Sequence, residues 1–314
     1  MFRKVLFFFL ILILGFSTSR PASACESCSC ALARAGADPI YQSDRAFFDV
    51  TFEGQNWNTR PAEDVHELHE EGHHVHNKTH EEFYHFNLGV HPTEEVTLFG
   101  ELAYIVRDSI EIEEHDRLGE KETSKGLGDM KLSGIWRFWR GHGNFLGLLG
   151  GVKLPTGSTE EENSQGTLFE PELQPGSGST DASVGSVFQL ALEPWVVHGN
   201  VVYTFKSEGD HDFEFGDLFS SYTSLDWLIN PDAKGIRVTL GADLNWQIED
   251  KQKEEGAQIE DSGGATVLMG PSLKIQLNDQ VVLLGNFLLP AYQNLGGVHQ
   301  ELDFVWNASA KISW

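Results

Sequence analysis

The densest concentration of residues able to do chemistry lies in one polar stretch, where His66, His69, His73, His74, His76 and His80 are interleaved with Glu67, Glu70 and Glu71. Imidazole nitrogens with carboxylate oxygens could chelate Zn, Cu or Ni. The spacing contains no H-E-x-x-H, so a catalytic zinc is not indicated and loose chelation on a loop is the plainer reading. Cys25, Cys28 and Cys30 form a second set, C-x-x-C-x-C. Their thiolates would suit Cu(I) or Zn; in an oxidising compartment two of them could pair instead, or Cys25 could carry a lipid. Cys28 is followed by Ser29 and Cys30, which excludes the haem attachment pattern C-x-x-C-H. No serine or histidine sits in a recognisable nucleophile–base arrangement, so an enzyme is not expected. No cofactor is required, and a transition metal at the His and Cys residues is the one candidate.

These sets must be positioned by the rest of the chain, which begins like an exported protein. Arg3 and Lys4 precede the apolar block Val5 to Leu14, and Ala22-Ser23-Ala24 supplies an A-x-A cleavage pattern. The block is shorter than the roughly 20 apolar residues of a spanning helix. The reading is a signal peptide over 1–24, a Cys-containing periplasmic leader over 25–44, and one domain over 45–314. A retained anchor and a lipoprotein are the alternatives, the latter disfavoured by Ala22 where a lipobox usually has Leu.

The 314 residues carry a net charge of -25, which argues against nucleic acid as a partner because phosphates need Lys and Arg. Within 45–314 the dominant signal is alternation of period two. Leu302, Phe304, Trp306, Ala308, Ala310, Ile312 and Trp314 alternate with polar residues, and Ile236, Val238, Leu240, Ala242, Leu244, Trp246 and Ile248 repeat the pattern. Weaker versions fall at 45–57, 81–91, 95–107, 127–139, 143–154, 183–193, 195–206, 217–230, 264–277 and 279–289, which makes about twelve strands. Their connections alternate in length. Short links such as 140–142 and 193–194 separate long polar segments at 58–80, 108–126, 155–182, 207–216, 249–263 and 290–297. That sorting, with aromatics such as Phe48, Phe52, Trp57, Phe83, Trp136, Trp195 and Trp227 toward strand ends, predicts an all-β fold: a closed antiparallel transmembrane β-barrel with short periplasmic turns and long extracellular loops. A soluble sandwich is the alternative. The barrel places the chain in the outer membrane of a Gram-negative bacterium, with membrane lipid as a partner. A greasy last strand ending in Trp314 resembles the signal read by the barrel insertion machinery, a second expected partner.

Three motifs carry a family resemblance. Gly126-Leu127-Gly128-Asp129-Met130-Lys131-Leu132, Gly151-Val152-Lys153-Leu154-Pro155-Thr156-Gly157 and Leu173-Gln174-Pro175-Gly176-Ser177-Gly178-Ser179, with Gly185, resemble in order and spacing the transporter-like barrel family associated with a MetA pathway of phenol degradation. The resemblance covers the chain from about residue 80 onward and leaves the leader and the His-rich loop outside. It implies an outer-membrane barrel admitting small, often hydrophobic or aromatic, molecules. The glycines themselves read as turn geometry and close backbone approach.

If the greasy faces meet lipid, the opposite faces line the interior and present Asp49, Glu53, His85, Asn87, Glu101, Lys131, Arg137, Lys153, His198, Lys206, Asp226, Arg237, Asp243, Glu301, Asp303 and Lys311. Mixed charge of this kind could line a polar pore or form cross-strand pairs that fill a narrow lumen, and pairing is favoured at twelve strands. The function expected is passive passage of a small-molecule solute. Acidic loops would favour cations at the mouth, and selectivity would come from interior charges and from the loops, chiefly residues 155–182 if that one folds inward as a constriction. The alternative is an outer-membrane metal-binding protein that uses the His loop and the Cys leader.

Overall fold

Along Ala46–Trp57 the side chains of Phe47, Asp49, Thr51, Glu53, Gln55 and Trp57 are buried while Phe48 and Phe52 are exposed. The alternation follows from the pleat, which sends successive side chains to opposite faces. Here the buried face is the inside of a barrel and the exposed one faces lipid.

A computed structural model describes residues 45–57, 76–113, 117–230, 235–260, 262–295 and 300–314. The strands are β1 (Ala46–Trp57), β2 (His76–Val90), β3 (Val96–Glu113), β4 (Arg117–Leu127), β5 (Met130–Gly141), β6 (Asn144–Leu154), β7 (Asp181–Leu192) and β8 (Trp195–Phe205), then β9 (Phe213–Glu214), β10 (Leu218–Leu228) and β11 (Arg237–Glu249). They continue with β12 (Lys253–Glu254), β13 (Ala257–Gln258), β14 (Gly264–Gln276), β15 (Val281–Leu295) and β16 (Leu302–Ser313). Neighbours in sequence pair antiparallel, and β1 pairs with β16 to close the sheet. Both β4 and β5 run along β3, the first against Tyr104–Glu113 and the second against Val96–Glu101. They are one strand interrupted at Gly128–Asp129, which makes twelve in the closed barrel. Closure satisfies each backbone group within the wall, as lipid demands. The short β9, β12 and β13 form a separate three-stranded sheet over the loop end.

The outer surface carries Phe86, Leu88, Leu98, Trp136, Phe138, Leu148, Trp195, Trp227, Leu240, Leu273, Leu283, Phe287 and Trp314, all exposed. Such a band is stable only against hydrocarbon. Two of the expected girdle aromatics, Trp57 and Phe83, instead point inward and are buried.

Several expected boundaries move. Segment 108–126, expected as a loop, is mostly strand: β3 and β4 rise as a hairpin whose facing residues include Asp108 and Thr123. The expected loop at 290–297 begins later, since β15 runs to Leu295. Glu301 and Asp303 are not interior residues. Pairing shifts register at Asn56/Trp57, so that Trp57 faces Leu302 and Asn56 faces Phe304. Leu302 and Val305 are both buried, and Asp303 is exposed, accepting a hydrogen bond from Asn56 Nδ2 at 3.0 Å. One extra residue in a strand reverses the facing of what lies beyond it.

Toward the short-turn end the interior is apolar, with Phe47, Phe99, Ile135, Phe145, Leu149, Val187 and Val202 in one cluster. A second cluster, Trp57, Leu268, Leu288, Leu302 and Val305, lines the opposite wall near the loops. Between the two lies a belt of polar and charged side chains.

Candidate solute site and interior charge networks

The three glycine-bearing motifs, separate in sequence, converge where segment 155–180 folds into the barrel mouth. Asp129, at the break between β4 and β5, holds both ends of that segment. Its Oδ1 accepts from the backbone N–H of Thr156 at 3.1 Å and Gly157 at 2.9 Å. Its Oδ2 accepts from the N–H of Ser177 at 3.0 Å and the Ser177 hydroxyl at 2.6 Å. Gly157 and Gly176 pass so closely that a Cβ on Gly176 would lie 2.5 Å from the Gly157 carbonyl carbon, a contact no side chain tolerates. Lys153 joins the knot, 2.7 Å from Asp181 and 3.5 Å from Asp129, and donates to the Ser177 hydroxyl at 2.6 Å.

The far side of the segment is tied to the neighbouring strands β3 and β2. Arg107 donates from Nη1 to the backbone oxygen of Gln174 at 2.6 Å and from Nε to Glu81 at 2.7 Å, and Glu81 also accepts from the Trp57 indole at 3.0 Å. The Gln174 amide crosses the loop, donating to the carbonyls of Glu161 and Phe169. The segment folds inward on buried, charge-assisted hydrogen bonds.

Beneath the loop lies a small cavity open at its mouth. It is lined by the apolar Ala103, Ile105, Val152, Phe215 and Leu218 interspersed with the charged Glu101, Lys131, Lys153, Asp181 and Lys206. Lys131 Nζ is 3.5 Å from Glu101, whose same oxygen lies 3.5 Å from His85 Nδ1.

A second network crosses the barrel on the other side. Lys274 Nζ lies 2.7 Å from Asp226 Oδ2 and 2.9 Å from His198 Nε2, and Ser224 Oγ sits 2.8 Å from both Asp226 and Asp243. Ser272 and Asn286 donate to Asp243, and Asn307 donates to Asn286. Asp226 is 0% and Lys274 2% exposed, so at this level the lumen is packed side chain against side chain. The cost of taking Asp226 and Lys274 out of water is offset by their pairing.

The interior face therefore contains Asp49, Glu53, His85, Glu101, Lys131, Arg137, Lys153, His198, Asp226 and Asp243, all but Lys131 buried, and Lys311, whose ammonium lies 4.5 Å from the Phe47 ring centre. Arg237 is at the short-turn rim beside Asp279, 3.3 Å away. Cys25, Cys28, Cys30, His66, His69, His73 and His74 lie outside the described residues, and of His76 only its backbone place at the start of β2 is described. His80 is partly exposed and 3.5 Å from Glu82. Among the described residues no three His, Cys, Asp or Glu are grouped to hold a metal ion. Asp129, Arg107, Glu81, Asp181 and Lys274 were not singled out from sequence as interior residues. Lys274 is legible in the sequence, since it shares the period-two face of Ser272 and Gln276; Asp129 lies in the first glycine-bearing motif, where strand periodicity breaks and gives no facing.

Residues 82–290, two thirds of the chain including the whole knot, match the family described as "Putative MetA-pathway of phenol degradation". The chain belongs to this family. The phenol-degradation family match begins inside β2, so the leader and the His-rich stretch fall outside it. Among solved structures, the COG4313 outer membrane channel from Pseudomonas putida F1 is similar at a TM-score of 0.59 and 15% identity, over 88% of this chain and 98% of that one. The beta domain of the Bordetella autotransporter BrkA is similar at 0.51 and 10% identity, over 87% and 100%. At such identities the likeness concerns the barrel fold. Comparison with curated protein sequences gives no match.

Proposed function

We propose that this member of the phenol-degradation family is an outer-membrane channel through which small molecules pass down their own gradient. The cavity beneath segment 155–180 carries the reading: it opens within a closed barrel, and its lining mixes apolar side chains such as Ile105, Phe215 and Leu218 with charged ones such as Lys131 and Lys206, which fits a solute with an apolar, often aromatic, body and a polar group. The family description and the channel from Pseudomonas putida support it. The signal-peptide pattern and the terminal Trp314 support a Gram-negative outer membrane.

The interior chemistry favours passage over catalysis. Ser224, His198 and Asp226 are the residue types of a hydrolase triad, yet the Ser224 hydroxyl faces two carboxylates while His198 faces Asp226 and Lys274. A serine nucleophile needs the imidazole to take its proton.

The test is single-channel recording of the purified, refolded protein in a planar bilayer, with selectivity read from the reversal potential across a salt gradient. Small, stable steps are expected, because side chains fill much of the lumen. A membrane-inserted, heat-modifiable barrel that stays silent would overturn the aqueous channel.

A further inference from the structure

Arg137 is among the largest fully buried side chains of the barrel, and no carboxylate among the described residues lies within ion-pair distance of it. The two acids of the nearby turn, Glu94 and Glu95, are 3.2 and 3.8 Å from Arg140 instead. Of the guanidinium donors, Nη1 is committed to the Thr97 hydroxyl at 2.9 Å, while Nε and Nη2 have no acceptor. Those two atoms form the side-on edge of a guanidinium, the pair of parallel N–H groups that matches the two oxygens of a carboxylate.

The backbone is shaped to present this edge. Pairing of β5 with β6 shifts between Trp136, which faces Leu148, and Trp139, which faces Leu146. Arg137 and Phe138 thus stand opposite Gly147 alone, a bulge of the kind that re-aims a side chain. Gly147 makes this fit, since a Cβ there would lie 2.9 Å from the Trp136 carbonyl and 3.2 Å from Arg137 Cα. The Phe145 ring lies 5.4 Å from the guanidinium carbon, and Phe99, Ile135 and Leu149 belong to the same apolar cluster as Phe145. A buried cation without a counter-charge weakens a fold, so stability does not account for it. Lys131, six residues earlier on the same strand and about 20 Å away at strand rise, sets a cation at the cavity wall above.

We infer that Arg137 is a carboxylate-recognition site, whose ligand is a small organic acid with an apolar or aromatic body. The fork takes the carboxylate side-on and the surrounding rings take the body. As a station in passage the site rests on the channel reading; as a binding site it stands on its own geometry. Acidic loops at the mouth do not forbid such a solute at physiological salt, where surface charge is screened within about 8 Å.

The experiment is calorimetric titration of the full chain in detergent micelles with benzoate, with benzyl alcohol as the neutral counterpart of the same body and inorganic phosphate as a second anion. Arg137→Lys keeps the charge and removes the fork; Arg137→Met removes both; heat-modifiable migration verifies that each is folded. Benzoate is expected to bind the native protein and to lose at least about tenfold in affinity in Arg137→Lys, with benzyl alcohol weak and unaltered. Should Arg137→Met fail to fold, Arg137→Lys decides alone. Absence of benzoate binding, equal affinity in Arg137→Lys, equal binding of benzyl alcohol, or equal binding of phosphate would each overturn the assignment. Conductance reports separately: a silent bilayer with Arg137-dependent benzoate binding removes the channel and keeps the site, whereas conduction without benzoate binding does the reverse.

Discussion

Replacing Asp129 by Asn should free segment 155–180 without disturbing the barrel wall. The carboxylate accepts four hydrogen bonds, two per oxygen. An amide in the same place can keep its oxygen toward Thr156 and Gly157 but then turns N–H groups toward the N–H of Ser177, a donor against a donor. Two bonds are lost and two lose their charge assistance. At about 1.5–3 kcal/mol for a bond to a charged group and about 1 for a neutral one, and with neighbouring bonds less than additive, the local cost is about 2–4 kcal/mol. That corresponds to roughly 30- to 1,000-fold more opening of the loop. Amide hydrogen exchange of the full chain in micelles reads it directly: exchange at Ser177, Thr156 and Gly157 should accelerate by that factor. The Gly128 amide, which bonds the Ala103 carbonyl in the wall at 2.8 Å, serves as the internal reference. Unchanged exchange at Ser177 would refute the idea that Asp129 holds the loop, and equal acceleration at Gly128 would show a general loss of barrel stability.

Gly176→Ala should displace the loop as well, because its Cβ would meet the Gly157 backbone; limited proteolysis within 158–166 should speed up while the barrel stays heat-modifiable. Lys274→Met should lower unfolding stability in urea by about 3–5 kcal/mol, since Asp226 is left charged in the packed interior, and adding Asp226→Asn should recover part of it. In the hairpin above the membrane, burial would raise the Asp108 carboxyl, but Lys121 and Thr123 outweigh it and hold the group below its ordinary value. Its contribution to hairpin protection is therefore present above the ordinary aspartate range and lost as pH falls through the lowered value; Asp108→Asn should abolish that acid dependence in hydrogen exchange.

Strand number, pairing and the sorting of loops were legible because a two-sided environment writes itself into every second residue. The long last strand shows where that legibility stops. Counting by twos places Asp303 inside with Asn307, and a single extra residue beside Phe304 turns it out, a feature of pairing with β1 that β16 alone does not encode. The 108–126 stretch misled for a different reason. Above the membrane both strand faces meet water, so β3 and β4 lose their greasy stripe while keeping their hydrogen bonds. At the candidate site, charges such as Lys153 and Asp226 were visible as inward residues. Their partners were not, because Asp129 meets Ser177 only once segment 155–180 has folded inward, and His198 meets Lys274 only when β8 and β14 are brought round the same interior. Arg137 was found as an inward charge, while its lack of a carboxylate partner became visible only once its neighbours were in place.

The seam between the first and last strands has a consequence for how the molecule is made. Asp49 stands opposite Lys311 across that seam, and Asn307 on the last strand completes the chain of hydrogen bonds that begins at Ser224. The first cannot form until more than two hundred intervening residues have been laid down and brought round, and the second also waits for the last strand, so the entropy of closing the ring falls due before its polar interior is compensated. A chain short of its final dozen residues would hold bare charges against hydrocarbon with an open sheet edge on either side. Assembly of this barrel is accordingly a late, cooperative event, in which a partner that shields two unmatched edges has more to contribute than any single interior contact.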